Sequence, residues 1–175
     1  PQMAIGQGPI EWTLVQAAAA YAILARGGVV HPTFIKTQGR SELSSGYLKL
    51  DPRGIDLALE GMRLSATDRN GTTSVLRLPE LREPIFNIPD VDIYAKSGTA
   101  QAQPLWINIK DQQGIEDKRI VREGNHGWVI CLVKRPQSIQ PNFVIAVIVE
   151  YGGSGGQVGG PIVNQILHAM RSCEY

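Results

Sequence analysis

Phe143-Val-Ile-Ala-Val-Ile-Val149 is an unbroken run of seven apolar residues. A strand with one wet face alternates apolar and polar residues, so a run without alternation is covered on both sides. Two upstream stretches, Ile93 to Gln101 and Gly127 to Val133, also read as strands. Arg135 to Asn142, with two prolines, reads as a hairpin-like connection between the last two. Strands joined this way run antiparallel, and something must pack on each face of the sheet they form.

The flanking sequence supplies helices for that purpose. Thr13 and Gln16 have capping-box spacing, and an alanine-rich run follows with Leu14, Ala17, Ala18, Tyr21 and Ala25 on one face. Gly27-Gly28 ends it, and His31-Pro32 sets an extended exit. Thr33 to Lys36 and Tyr47 to Leu50 are candidates to pair as short strands. A second helix is expected from Pro52 or Arg53 to about Ser65, capped by Asp51, with Ile55, Ala58, Leu59 and Met62 inward. Asn70-Gly71 signals a turn, and Pro79, Pro84 and Pro89 punctuate an irregular stretch. Pro104 to Asn125 mixes acids and bases and reads as a solvated loop, or one that closes over a site or binds a partner. Gly152 to Gly160 reads as a flexible link, and Pro161 to Arg171 as a closing helix with Ile162, Ile166, Ala169 and Met170 inward.

The expected fold class is therefore α+β: an antiparallel sheet of about three strands with helices packed on both faces. Three strands are few for a strand as apolar as Phe143 to Val149. Further strands are expected beside it, and an exposed sheet edge is expected to drive dimerisation or swapping.

Bulk composition narrows function. The 175 residues suit one domain, and 17 basic against 16 acidic residues give a net charge of +1. That balance lacks the basic face of a nucleic-acid binder. No apolar run approaches the ~18 residues of a membrane span. The three histidines are scattered, and Cys131 and Cys173 form no C-x-x-C pair, so neither metal nor cofactor is expected. The cysteines read as two buried thiols, with a disulfide left open.

Chemistry concentrates in Tyr94-Ala-Lys-Ser-Gly-Thr-Ala-Gln101. A lysine, a small hydroxyl residue and a glycine on one strand offer a cation and hydrogen bonds for a carboxylate. The glycine leaves room for a ligand backbone, and strand N–H groups beyond it can face an oxyanion. Alone, the tripeptide also fits a surface lysine beside a glycine bulge. His126 has no serine or carboxylate partner in view and reads as a structural hydrogen-bonding residue. Gly152 to Gly160 does not fit a phosphate-binding loop.

Context adds a resemblance. Ala4-Ile-Gly-Gln-Gly8, then Thr13 to Ala22, Arg26-Gly-Gly28 and Pro32, resemble the segment downstream of the second active-site motif in monofunctional penicillin-binding transpeptidases. Gly61-Met-Arg63 with Gly71-Thr72 is similar to the family's next helix and turn. Lys96-Ser-Gly-Thr-Ala-Gln101 is similar to its third active-site motif, His126-Gly-Trp128 to the following strand, and Pro161 with the closing helix to its end. The matches occur in family order across nearly the whole chain.

The resemblance implies a partial penicillin-binding or serine β-lactamase-like fold and the following roles. Lys96 polarises the site and attracts a terminal carboxylate. Ser97 and Thr99 hydrogen-bond it, and Gly98 permits close approach. The backbone N–H of Thr99 is one oxyanion donor. Gly6-Gln7-Gly8 either lines the back of the site or makes a tight turn. The family also uses Ser-x-x-Lys and Ser-x-Asn motifs. Here no serine stands three residues before a lysine or two before an asparagine.

The expectation is that residues 1–175 are the C-terminal portion of one transpeptidase domain, with the nucleophile upstream and the isolated chain inactive. The implied ligands are the peptidoglycan stem peptide and β-lactams, and the implied location is the periplasmic or outer side of the membrane, anchored by an upstream segment. Two alternatives stand beside it. One is a non-catalytic fragment that binds ligand or cell-wall synthesis proteins. The other is a relative of the β-lactamases and β-lactam sensors.

Overall fold

The computed structural model describes residues 12–28, 50–110 and 116–173. Helix α1 spans Leu14–Arg26. Its capping box forms as the spacing predicts: Gln16 N donates to Thr13 Oγ1 at 3.2 Å, and Thr13 N donates to Gln16 Oε1 at 2.9 Å. Gly27 closes it in the left-handed region at φ 65°. Helix α2 spans Pro52–Thr67, with Asp51 accepting from Arg53 N at 3.1 Å. The proposed strands within 33–49 and the Gly6-Gln7-Gly8 segment lie outside the described residues.

Next come β1 (Val75–Arg77) and β2 (Arg82–Pro84), a small antiparallel hairpin. The stretch punctuated by prolines is thus more regular than expected, because Pro79 lies in the connection and Pro84 ends a strand. The main sheet is built from β3 (Asp92–Gln101), β6 (Asn125–Lys134) and β7 (Phe143–Val149), antiparallel in the order β3-β6-β7. Ten residue pairs join β3 to β6, with Lys96 opposite Ile130, Gly98 opposite Trp128 and Thr99 opposite Gly127.

Helices cover both faces of this sheet. Side chains alternate along a strand, so Val129, Cys131 and Val133 of β6 face one way and Leu132 the other. The first set joins Ile93, Ala95, Ile145 and Val147 in a core closed by helix α3 (Gly155–Ser172) through Val163 and Leu167. Leu132 joins Ala25 and Met62 of α1 and α2 in a second core, with Tyr21, Leu59 and Tyr94 packed around it. Val129, Cys131, Leu132, Ala95 and Val163 are fully buried. The apolar run Phe143 to Val149 lies between α1 and α3, as its pattern requires.

Two segments depart from expectation. The segment Pro104 to Asn125 contains strands β4 (Leu105–Lys110) and β5 (Glu116–Arg122), paired as a hairpin with a bulge near Leu105 and Trp106. Its isoleucines, valine and tryptophan have the shape for a pleated ribbon, and its charges lie on exposed positions of the same ribbon. The glycine-rich link also fails as a link, because Gly155 to Gly160 are the first turns of α3. The earlier start changes the phase of the buried stripe. Gly156, Gly159, Gly160, Val163 and Leu167 are buried, whereas Ile162 and Ile166 are exposed and Ala169 faces solvent. Met170 alone of the expected set packs against the core. The reading of two buried thiols holds for Cys131 and not for Cys173, which caps the exposed end of α3; both are free.

Candidate active site

Lys96, Ser97, Gly98 and Thr99 lie consecutively on β3, an outer strand of the sheet among the described residues. By strand alternation Lys96 shares the face of Tyr94, and Ser97 shares that of Ala95. Lys96 and Thr99 are exposed; Ser97 and Gly98 are partly buried. The Lys96 ammonium donates to the Ser97 carbonyl oxygen. It lies at the rim of an open groove of about 790 Å³, walled by Tyr21 and Leu24 of α1, Leu57 and Met62 of α2, and the turn through Asn70, Gly71 and Thr72. The groove is largely apolar, and burial there raises the Tyr21 phenol above its ordinary pKa.

Among the described residues, no contact forces glycine at 98. A Cβ built there would have as its nearest neighbour the Trp128 Cβ, at 3.5 Å, an ordinary contact. Gly155 differs: a Cβ there would lie 2.3 Å from the carbonyl oxygens of both Gly98 and Trp128. The first turn of α3 therefore sits directly against the backbone of β3 and β6 at the motif.

Thr72 and its neighbours are what sequence reasoning left unconnected to this strand. Ser97 Oγ lies 2.8 Å from Thr72 Oγ1. Thr72 Oγ1 lies 3.2 Å from Ser65 Oγ, which lies 3.1 Å from Thr73 Oγ1. The available signal was three hydroxyl residues, Thr72, Thr73 and Ser74, straight after the Asn70-Gly71 turn. Thr73 and Ser74 are buried polar residues and need internal partners.

His126 stands opposite Ala100, just beyond Thr99. Its Nδ1 accepts from Tyr151 N at 3.0 Å, and the two rings meet edge-on at 4.8 Å. Tyr151 takes a left-handed φ of 54° and donates its hydroxyl to the Gln103 carbonyl at 3.0 Å. His126 therefore ties β6 to the turn after β7, and Tyr151 carries the link on to the exit of β3.

A lysine-hydroxyl-glycine-hydroxyl strand on an open groove, braced from behind by a glycine-led helix, is the setting of the comparisons with known proteins. The family model of the penicillin-binding protein transpeptidase domain matches residues 1–168. The chain belongs to that family. Its fold is similar to the apo structure of the transpeptidase domain of penicillin-binding protein 3 from Burkholderia pseudomallei, with a TM-score of 0.61 and 23% identity. The match covers 93% of this chain and 43% of that one, so this transpeptidase-family chain spans less than half the length of its structural relative. No curated protein sequence matches it significantly.

Proposed function

We propose that this chain forms one wall of the active site of a serine D,D-transpeptidase that cross-links peptidoglycan on the outer side of the cell membrane. Membership of the family supports the reaction class. The observation that carries the site is Lys96-Ser-Gly-Thr99 on an outer strand beside an open groove, with a glycine at 98 that packing among the described residues does not demand. A residue without an internal reason to be glycine suits the close approach of a ligand backbone.

In this reading Lys96 attracts the terminal carboxylate of a stem peptide or β-lactam, and the hydroxyls of Ser97 and Thr99 bind it. The backbone N–H of Thr99 faces the oxyanion that forms when a serine attacks the penultimate carbonyl; such a donor is worth roughly 3–4 kcal/mol of barrier. An acyl-enzyme forms, D-alanine leaves, and an amine of a neighbouring stem takes the acyl group. The nucleophile belongs to a segment outside this chain, which contains no Ser-x-x-Lys. The apolar groove beside Lys96 is where that segment packs, and the outer edge of β7 is where further strands pair.

The experiment is labelling with a fluorescent penicillin, read on a denaturing gel. The isolated chain shows no covalent band, whereas the protein with the nucleophile-bearing segment restored shows a stoichiometric band that Lys96→Ala abolishes. A band on the isolated chain would place the nucleophile within residues 1–175 and overturn the assignment.

A further inference from the structure

We propose that Thr72 is a positioning residue whose hydroxyl accepts a hydrogen bond from Ser97 when the site is empty and donates one to Ser97 when a carboxylate is bound. The inference rests on the reading of Ser97 as a carboxylate-binding residue.

The argument is an account of protons. Four hydroxyls, those of Ser97, Thr72, Ser65 and Thr73, form one chain, with links of 2.8, 3.2 and 3.1 Å in that order. Each hydroxyl owns a single proton. The inner end is fixed, because Thr73 Oγ1 donates to the Ser65 carbonyl oxygen at 2.8 Å and Thr73 is fully buried. With its proton committed, Thr73 Oγ1 can only accept from Ser65 Oγ. Ser65 must then accept from Thr72, and Thr72 from Ser97. This order satisfies every link. It also turns the Ser97 proton inward, so an empty site offers a ligand only lone pairs at Ser97.

A carboxylate needs the opposite polarity. Rotating two hydroxyls supplies it: Thr72 donates to Ser97, and Ser97 donates to the ligand. Only the Thr72–Ser65 link is lost, the longest of the three at 3.2 Å. The bond gained is charge-assisted and stronger than a neutral one. Donation from Thr72 also polarises the Ser97 hydroxyl toward the ligand, since hydrogen bonds in a chain reinforce each other.

The backbone holds Thr72 where this requires. A Cβ at Gly71 would lie 2.3 Å from the Ser65 carbonyl oxygen, and a Cβ at Gly156 would lie 2.0 Å from that of Thr72. The turn is thus wedged between α2 and the first turn of α3, with glycine at both contacts. The hydroxyl position is built by packing and does not depend on the chain of hydroxyls itself.

The test is the acylation rate of the full-length protein by benzylpenicillin and by its methyl ester, which lacks the carboxylate. Thr72→Val is expected to slow acylation by benzylpenicillin roughly 3- to 10-fold, the worth of one hydrogen bond, and to leave the ester rate unchanged. Thr72→Ser is expected to restore the benzylpenicillin rate. Equal losses for both probes would reduce Thr72 to a packing residue and overturn the proposal, as would an unchanged rate in Thr72→Val or failure of Thr72→Ser to rescue. A wild-type protein that benzylpenicillin does not acylate would sink the transpeptidase reading and this inference with it. That result is seen before any variant is made.

Discussion

Replacing Gly156 with alanine tests the junction behind the site most sharply, because helix propensity and packing predict opposite signs. Gly156 lies in the first turn of α3, where alanine would ordinarily help by up to about 1 kcal/mol. Here the new Cβ would lie 2.0 Å from the Thr72 carbonyl oxygen and 3.0 Å from its carbon. Carbon and carbonyl oxygen rest at roughly 3.3 Å or more, so the gap must open by about 1.3 Å. The obstacle is backbone, not a flexible side chain. It belongs to a turn fixed by Thr73 N to Ser65 O at 3.1 Å and Ile85 N to Ser74 O at 2.9 Å. Overpacking of this kind costs about 1–3 kcal/mol. Because the obstacle is backbone, the upper part of that range applies, and net of propensity the loss is about 1–2 kcal/mol, or a fall of roughly 2–8 °C in Tm for a chain of this size. Gly61→Ala is the control. Gly61 lies within α2 with no atom of the described residues within 4 Å of its built Cβ, so alanine should raise Tm by about 2–4 °C. Thermal unfolding followed by circular dichroism measures both. A Gly156→Ala protein as stable as wild type would show that α3 does not press on Thr72, and the wedge would have to be abandoned.

Two further outcomes concern the cysteines. Cys131 is fully buried and Cys173 exposed, so a chromogenic disulfide reagent should titrate one thiol in the native chain and the second only in denaturant. Two fast native thiols would contradict the packing of β6. Desolvation pushes the Cys131 thiol up to about 12 from its ordinary 9.0. Below pH 9 the thiol is protonated in both folded and unfolded chains and adds no pH dependence. Between 9 and 12 only the unfolded chain releases the proton, so stability falls as pH rises, by at most about 1.4 kcal/mol per unit. Cys131→Ala should flatten the urea-midpoint slope between pH 9 and 11; an unchanged slope would assign the alkaline loss to other groups.

What the sequence disclosed depended on how far apart the partners are. Thr13 and Gln16 satisfy each other's backbone within one turn, and Gly27 caps the same helix, so both ends of α1 were readable. The strands of the main sheet were readable because their apolar runs report burial directly. The start of α3 was not. Gly155, Gly156, Gly159 and Gly160 look like a linker until the atoms they touch are known, namely Gly98, Thr72, Val129 and Ile85. Once those glycines are helical, the inward face shifts from Ile162 and Ile166 to Val163 and Leu167. The β4–β5 ribbon was obscured by its charges, since both of its faces are exposed and neither gives an alternating burial pattern. In the candidate site, Lys96 to Thr99 were legible as a motif. Thr72 was not, because its link to Ser97 joins residues 25 positions apart through a turn that only the folded chain brings beside β3.

These contacts explain why the motif strand can keep its shape although, among the described residues, the outer edge of β7 has no strand partner. Catalysis by positioning tolerates little displacement of the groups that hold a substrate. β3 is restrained along its length by β6, from behind by Gly155, and at Ser97 by the hydroxyl chain from α2. None of these restraints runs through β7. The outer edge of β7 lies on the far side of the sheet, two strand spacings from β3, or roughly 10 Å. Whatever pairs with β7 therefore leaves the restraints on Lys96 to Thr99 in place. A nucleophile-bearing segment docking beside Lys96 would meet a wall already set, so the cost of ordering the site at that encounter would fall on the incoming segment alone.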